Sequence, residues 1–169
     1  MTSHAVPWRA MATTDLPAVH ALSMRVHPGY PERAEVLAEK FRLYPRGCFV
    51  LTPGQGIRGY CFSHPWTRGT VPALDGFLEA LPEAPTTYYV HDLTIDETLR
   101  GQGQGRAVVP LLLEAARSAG LDHLSLVAVN RRGPFWRAAG FARSADEALQ
   151  AAARAKYDAG AVHMERLLP

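Results

Sequence analysis

Tyr88-Tyr89-Val90-His91-Asp92-Leu93-Thr94-Ile95, followed a few residues later by Arg100-Gly101-Gln102-Gly103-Gln104-Gly105-Arg106, is the stretch that decides the fold. Aromatic and β-branched residues make the first run a strand. A short acidic turn (Asp96, Glu97) leads to the glycines, and an apolar helix follows from about Gly103 to Ala119. Val108, Leu111, Leu112, Ala115 and Ala119 share one face of that helix, which predicts packing against a sheet. Pro110 removes the bond to the Arg106 carbonyl and predicts a bend about two turns in. Glycines at such a junction let the backbone turn tightly and approach a ligand without Cβ interference. The first N–H groups of the helix have no intrahelical partners, and the dipole favours anions there. The segment therefore reads as a pyrophosphate cradle built from main-chain donors.

The phosphate ligand is narrowed by what the segment lacks. A Walker A loop needs Gly-Lys-Ser/Thr, and no lysine lies here, which argues against a nucleotide triphosphatase. A dinucleotide fingerprint starting at Gly101 and Gly103 meets Arg106 where its third glycine belongs, and it normally follows the first strand of a βαβ unit.

Working outward, the order of elements is mixed α/β. Trp8 to Met11 reads as a strand, with Thr14 as N-cap of a helix from Asp15 to about Val26. Pro28-Gly29-Tyr30-Pro31 breaks that helix, and a second runs from about Arg33 to Tyr44. Cys48–Leu51 and Ile57–Ser63 form a hairpin around Pro53-Gly54-Gln55-Gly56. Pairing Thr52 with Ile57 sets Cys48 opposite Cys61, and both are expected as free thiols. Downstream, His123–Val129 alternates as a strand. A short helix around Pro134–Ala139, a longer one from about Ser144 to Tyr157, and a strand at Ala161–Leu167 complete the order. Between Pro65 and Pro85, Leu74, Phe77, Leu78 and Leu81 fall at helical spacing, which predicts a short helix between Pro72 and Pro82. It reads either as a cap on the core or as a wall for the substrate.

At 169 residues, without repeat or long linker, residues 1–169 are expected to form a single domain. The net charge of +2, spread without Lys/Arg blocks, argues against nucleic acid as partner. No run approaches the roughly 20 apolar residues that span a bilayer, and Met1–Met11 lacks a signal-peptide pattern, so no membrane contact and a cytoplasmic location are expected. Neither the two cysteines nor His4, His20, His27, His123 and His163 are spaced as a metal site; these histidines read mostly as surface or packing residues. His64, beside Pro65-Trp66, is a candidate for the substrate side. Glu32, Glu35 and Glu39 read as solvated helix positions, though able to attract a cationic amine.

The motif Arg100-Gly101-Gln102-Gly103-Gln104-Gly105 resembles the acetyl-CoA signature of the GNAT superfamily of N-acetyltransferases. The resemblance extends upstream to Val90–Ile95, similar to the family's fourth strand. Downstream, Leu126-Val127-Ala128-Val129-Asn130 resembles its fifth strand, and Phe135-Trp136-Arg137-Ala138-Ala139-Gly140-Phe141 its aromatic-Gly-Phe signature. It implies a single-domain GNAT-like α/β fold: a central, mostly antiparallel mixed sheet of six to seven strands, splayed between the fourth and fifth and flanked by helices. It also implies acetyl-CoA as acyl-donor cosubstrate, with no metal. The backbone of Leu93, Thr94 and Ile95 would bind the pantetheine arm, and the amides of Gln102 to Arg106 the pyrophosphate. Asn130, Phe135 and Trp136 would meet the arm and thioester.

The implied reaction is direct attack of a primary amine, on a small molecule or peptide, on the thioester. An alkylamine has a pKa of about 10.4 if it resembles lysine, so a base is required at neutral pH. His91 is the first candidate, with Asp92 beside it; strand alternation sends Asp92 to the opposite face. Trp136 stands where many members carry a tyrosine that protonates the leaving thiolate, and indole N–H cannot serve so. Water or another tyrosine such as Tyr157 would have to supply that proton. The alternative reading is a non-catalytic acyl-CoA-binding or sensing domain. The final strand, with an edge free to pair, and the family resemblance allow a homodimer.

Overall fold

The structure, a computed structural model, describes residues 8–169, so His4 lies outside it. In chain order the elements are β1 (Trp8–Ala10), α1 (Leu16–Val26), α2 (Ala34–Leu43), β2 (Cys48–Leu51), β3 (Gly59–Trp66), β4 (Thr87–Ile95) and α3 (Gln104–Ser118). They continue with β5 (His123–Ala128), α4 (Gly133–Ala138), β6 (Ala142–Arg143), α5 (Glu147–Lys156) and β7 (Val162–Leu167). The strands form one sheet in the order β1-β2-β3-β4-β5-β7-β6, antiparallel throughout except for the parallel pair β4–β5. The single α/β domain with a mixed sheet is as expected.

Each sheet face buries its own core. On one side Val108, Leu112 and Ala116 of α3 and Trp136 of α4 meet Tyr88, Val90, Leu124, Leu126 and Met164. On the other, Val19 and Leu22 of α1 and Leu37 of α2 cover Val50, Tyr60 and Phe62. Each fully buried side chain of this size contributes roughly 1.5–3 kcal/mol, so the covered sheet is rigid under the site. The helix α3 runs unbroken through Pro110, with Val108, Val109, Leu112 and Ala116 as its fully buried residues. Its face is rotated slightly from the expected one: Ala116, not Ala115, is fully buried.

Two features of β4 build the site. Its pairing with β5 stops at Val90↔Leu126, yet β4 runs on to Ile95. The strands part there, as the splay expected from the family resemblance. On its other side the register with β3 jumps from Ser63↔Val90 to Phe62↔Asp92, leaving His91 as the extra residue of a bulge.

Several local expectations are corrected. Thr14 does not cap α1; residues Thr13–Asp15 make a 3-10 turn in which Asp15 accepts from the Ala12 amide at 2.8 Å. The β2–β3 hairpin is shifted by one residue, because Arg58 N bonds the Leu51 carbonyl and lengthens the loop. Cys48 therefore faces Phe62 and Cys61 faces Phe49; both thiols are free and buried. No helix forms between Pro72 and Pro82. Asp75 and Glu79 take positive φ, and the segment spends its polar groups on α2 rather than on itself. The final strand β7 is not an edge: it lies between β5 and β6, and Ala142–Arg143 cover part of its outer side. Glu32 and Glu39 are buried rather than solvated, while Glu35 is exposed. Among the described residues no helix is long and apolar enough to cross a membrane.

Candidate active site

A cleft of about 430 Å³ opens where β4 and β5 part. Its outer end is the glycine segment. Asp96 fixes the turn before it, accepting from the Thr98 amide at 3.0 Å and pairing with Arg25 at 3.0 Å and Arg58 at 3.2 Å. Gly101 and Gly103 hold φ of 78° and 79°, a region that disfavours side chains, and Gly103 is the cap from which α3 starts. The free amides of the first turn of α3 face this end. Arg100, Arg106 and Arg132 border it. Burial, and after it the repulsion of Arg100, holds the Arg132 guanidinium below its ordinary pKa. Cations crowded against a helix N-terminus fit an anionic ligand.

Along the cleft run Leu93, Thr94 and Ile95 of β4, facing Asn130, Phe135 and Trp136. Beyond Val90 no strand pairs with β4 on this side, which leaves room for an extended chain to lie against it. Asn130 and Arg131 take φ of 54° and 60°, turning the backbone away at the end of β5. Trp136 is held edge-on between Phe135 and Phe141 at centroid distances of 4.9 and 5.3 Å and is mostly core. Of the residues assigned to the cofactor by sequence, all border the cleft except Gln102, whose side chain donates to the Thr98 carbonyl at 3.2 Å.

The inner end lies on the α1–α2 face of the sheet. His91 and Asp92 both border it, against the expectation that alternation separates them; the bulge resets the alternation between the two. Asp92 accepts from the Tyr60 hydroxyl at 2.7 Å and from the Thr94 hydroxyl at 2.9 Å. With that proton committed, His27 Nε2, 2.7 Å from Thr94 Oγ1, is the donor in its own contact. His91 differs: both ring nitrogens are buried and without a hydrogen-bond partner. Burial, then Lys40 and His64, holds its pKa well below the usual range, so the ring is neutral. His64 does not line the cleft; its ring packs 5.8 Å from that of His91, and burial lowers its pKa to about 4.

Sequence reasoning missed His27, Tyr30 and Arg132, which also border the cleft. Glu32 and Leu74 border it too, the first read mainly as a solvated position able to attract an amine and the second as part of a core cap or a substrate wall. Glu32 lies in the α1–α2 connection, 3.9 Å from His91 Nε2 and 3.7 Å from Lys40 Nζ. Its pKa is pushed up to about 7, by burial first and then by Asp92, against the pull of Lys40. A legible signal existed only for Arg132, a cation two residues beyond Asn130. Tyr157 borders the cleft as well, and burial raises its pKa so that it keeps its proton.

The acetyltransferase (GNAT) family matches residues 16–141 of the chain. Among solved structures, the loading GNATL domain of CurA from Lyngbya majuscula superposes with a TM-score of 0.77 at 14% identity, covering 97% of this chain and 98% of that one. The GphF GNAT-like decarboxylase in complex with isobutyryl-CoA gives 0.75 at 17% identity, over 96% and 99%. Ard1 from Thermoplasma volcanium gives 0.70 at 15% identity, over 96% and 97%. Likeness at these identities concerns the fold, and no curated protein matches the chain by sequence. With the family's match running from the start of α1 to Phe141, just before β6, the chain belongs to the GNAT family of acetyltransferases.

Proposed function

We propose that the protein transfers an acetyl group from acetyl-CoA to a primary amine by direct attack on the thioester. The observation that carries this reading is the continuity of the cleft. It joins a cationic, amide-rich end at Gly101–Gly105 to a buried polar end at His91 across a stretch where β4 lacks a partner strand. Family membership supports acyl transfer in general; the acetyl group and the amine are our reading of this site.

In this reading the amides of Gly103 to Arg106, with Arg100 and Arg132, hold the pyrophosphate. The backbone of Leu93 to Ile95 aligns the pantetheine arm, and an amide at the bulge polarises the thioester carbonyl. Asn130, Phe135 and Trp136 flank the arm. The amine reaches the thioester from the α1–α2 side, past Tyr30 and Leu74. Neutral His91 meets its nitrogen, and Asp92, engaged with Tyr60 and Thr94, holds the strand in place. Trp136 has no proton to give, and Tyr30 donates to Asp158. Tyr157 is therefore the hydroxyl we assign to the departing thiolate.

The test is release of free CoA from acetyl-CoA with a panel of small amines and peptides, alongside thermal shifts with acetyl-CoA, ATP and NAD. Amine-dependent CoA release and stabilisation by acetyl-CoA alone are expected. Stabilisation without turnover on any amine would instead establish a non-catalytic acyl-CoA-binding domain. Loss of CO2 from a carboxylated acyl-CoA without an amine, leaving the shorter acyl-CoA, would point to a different chemistry in the same cleft.

A further inference from the structure

Polar groups buried without partners mark places where a protein expects something more, because each costs free energy until it is satisfied. Here they gather at one point. Glu32 Oε2 and both nitrogens of His91 are enclosed without a hydrogen-bond partner at the inner end of the cleft, with His64 Nε2 close behind. Glu32 is brought there by the chain reversal between α1 and α2, and it is 5% exposed. Lys40, one turn into α2 from Val36, is 2% exposed; its Nζ lies 3.7 Å from Glu32, an ion pair beyond hydrogen-bonding distance, and 3.4 Å from the Gly76 carbonyl. A buried carboxylate with an idle oxygen, facing an idle imidazole at the end of a cleft, is built to exchange a proton.

We propose that Glu32 is the residue that takes the proton from the acceptor amine, with Lys40 positioning its carboxylate and His91 bridging the amine to it. This rests on the acyl-transfer reading above. The ammonium gives one proton through His91 to the Glu32 carboxylate, which becomes the neutral acid. The freed nitrogen attacks the thioester carbonyl carbon; the C–N bond forms, the C–S bond breaks, and CoA leaves as thiolate. The second proton from nitrogen passes to the thiolate by way of the Tyr157 hydroxyl, which gives its own proton and is reprotonated, yielding the amide and CoA thiol; Glu32 later returns its proton to water. His91 alone is a poor terminal acceptor, since burial and Lys40 oppose a lasting charge on it. Glu32 holds a proton near neutrality, and the groups facing it are Lys40 from α2, Asp92 and Tyr89 from β4, Asp75 from the preceding loop, and Tyr157.

The experiment is the pH profile of kcat/KM with an accepted amine, joined to 13C-carboxyl titration of glutamate-labelled protein without substrates. One carboxyl resonance, missing in Glu32→Gln, should titrate near pH 7, and the acidic limb of the wild-type profile should fall at the same pH. Glu32→Gln should lose the limb and about 100-fold or more in kcat/KM, with unchanged acetyl-CoA affinity. Lys40→Met, which removes the cation favouring the carboxylate, should move limb and resonance to higher pH. If the single variants do not fold, Glu32→Gln combined with Lys40→Met removes both charges together and should equally lack the limb. A Glu32 resonance titrating in the ordinary carboxylate range overturns the proposal. So does a limb that persists in Glu32→Gln and vanishes in His91→Gln. Wild type without turnover on any amine overturns acyl transfer and this proposal together; turnover with an unshifted limb overturns this proposal alone.

Discussion

The side chains enclosed at the inner end of the cleft govern how the protein responds to acid. His64 and His91 are buried neutral, with pKa values below the 6.5 of an unfolded histidine; for His64 the value is about 4. The stability this represents is fully present above pH 6.5 and is lost as pH falls toward the folded value, since the unfolded chain binds the extra protons. Glu32 works the other way. Its folded pKa of about 7 exceeds the 4.5 of the free group, so between those values acid favours the folded state. Over pH 6.5 to 4.5 His64 offsets Glu32, and His91 leaves the folded state losing stability as pH falls. Glu32→Gln should therefore steepen the acid loss, and His64→Gln should flatten it, in urea denaturation between pH 7.5 and 5. An unchanged slope in Glu32→Gln would show that its carboxyl is ionised as in water. His91 and Asp92 were legible in the sequence because they lie on the strand that leads into the glycine motif. Glu32 was read as a solvated position able to attract an amine; its burial was not legible, because it comes from the chain reversal between α1 and α2, which leaves no local pattern.

Among the elements, the loop between β3 and β4 shows how a periodic pattern misleads. Leu74, Phe77, Leu78 and Leu81 have helical spacing, but Gly76 and two flanking prolines weaken a helix, and stronger partners lie across the chain. Glu39 of α2 accepts from the Leu78 amide at 2.6 Å and the Glu79 amide at 3.1 Å, while Arg33 pairs with Asp75 at 3.2 Å. These bonds hold Leu74 against the cleft, so the loop is a wall of the acceptor end. Glu39→Ala leaves both amides without their acceptor. It should cost about 1–2 kcal/mol in urea denaturation and speed hydrogen exchange at Leu78 and Glu79. KM for the amine should rise while acetyl-CoA affinity holds; unchanged exchange at Leu78 would show the loop to be fixed by other contacts. The bulge in β4 was equally invisible to sequence, since strand alternation carries no sign of where one extra residue is inserted. Helix α3 and the glycines before it were read almost to the residue, because their chemistry is local.

At the scale of the whole molecule, the parting of β4 and β5 divides the cleft by charge. Arg100, Arg106 and Arg132 stand at its outer end, and Glu32 and Asp92 at its inner end. Arg132 is the informative member, since the repulsion of Arg100 falls on it and it makes no ion pair among the described residues; Arg100 has Glu97 at 3.8 Å. In the acetyl-CoA reading proposed above, the pyrophosphate would relieve that crowding. Replacing Arg132 by Ala removes a charge-assisted contact worth about 1.5–3 kcal/mol, a loss of roughly 10- to 100-fold in affinity. It also removes a screened charge, so the dependence of acetyl-CoA affinity on salt between 50 and 300 mM should become shallower. Calorimetry at the two salt concentrations reads both effects. The amine end lies across the cleft beyond Phe135 and Trp136, so the acidic limb of the pH profile should not move in this variant. A moved limb would mean that the two ends are coupled through the field of the protein, and an unchanged salt slope would mean that the phosphates rest on the α3 amides alone.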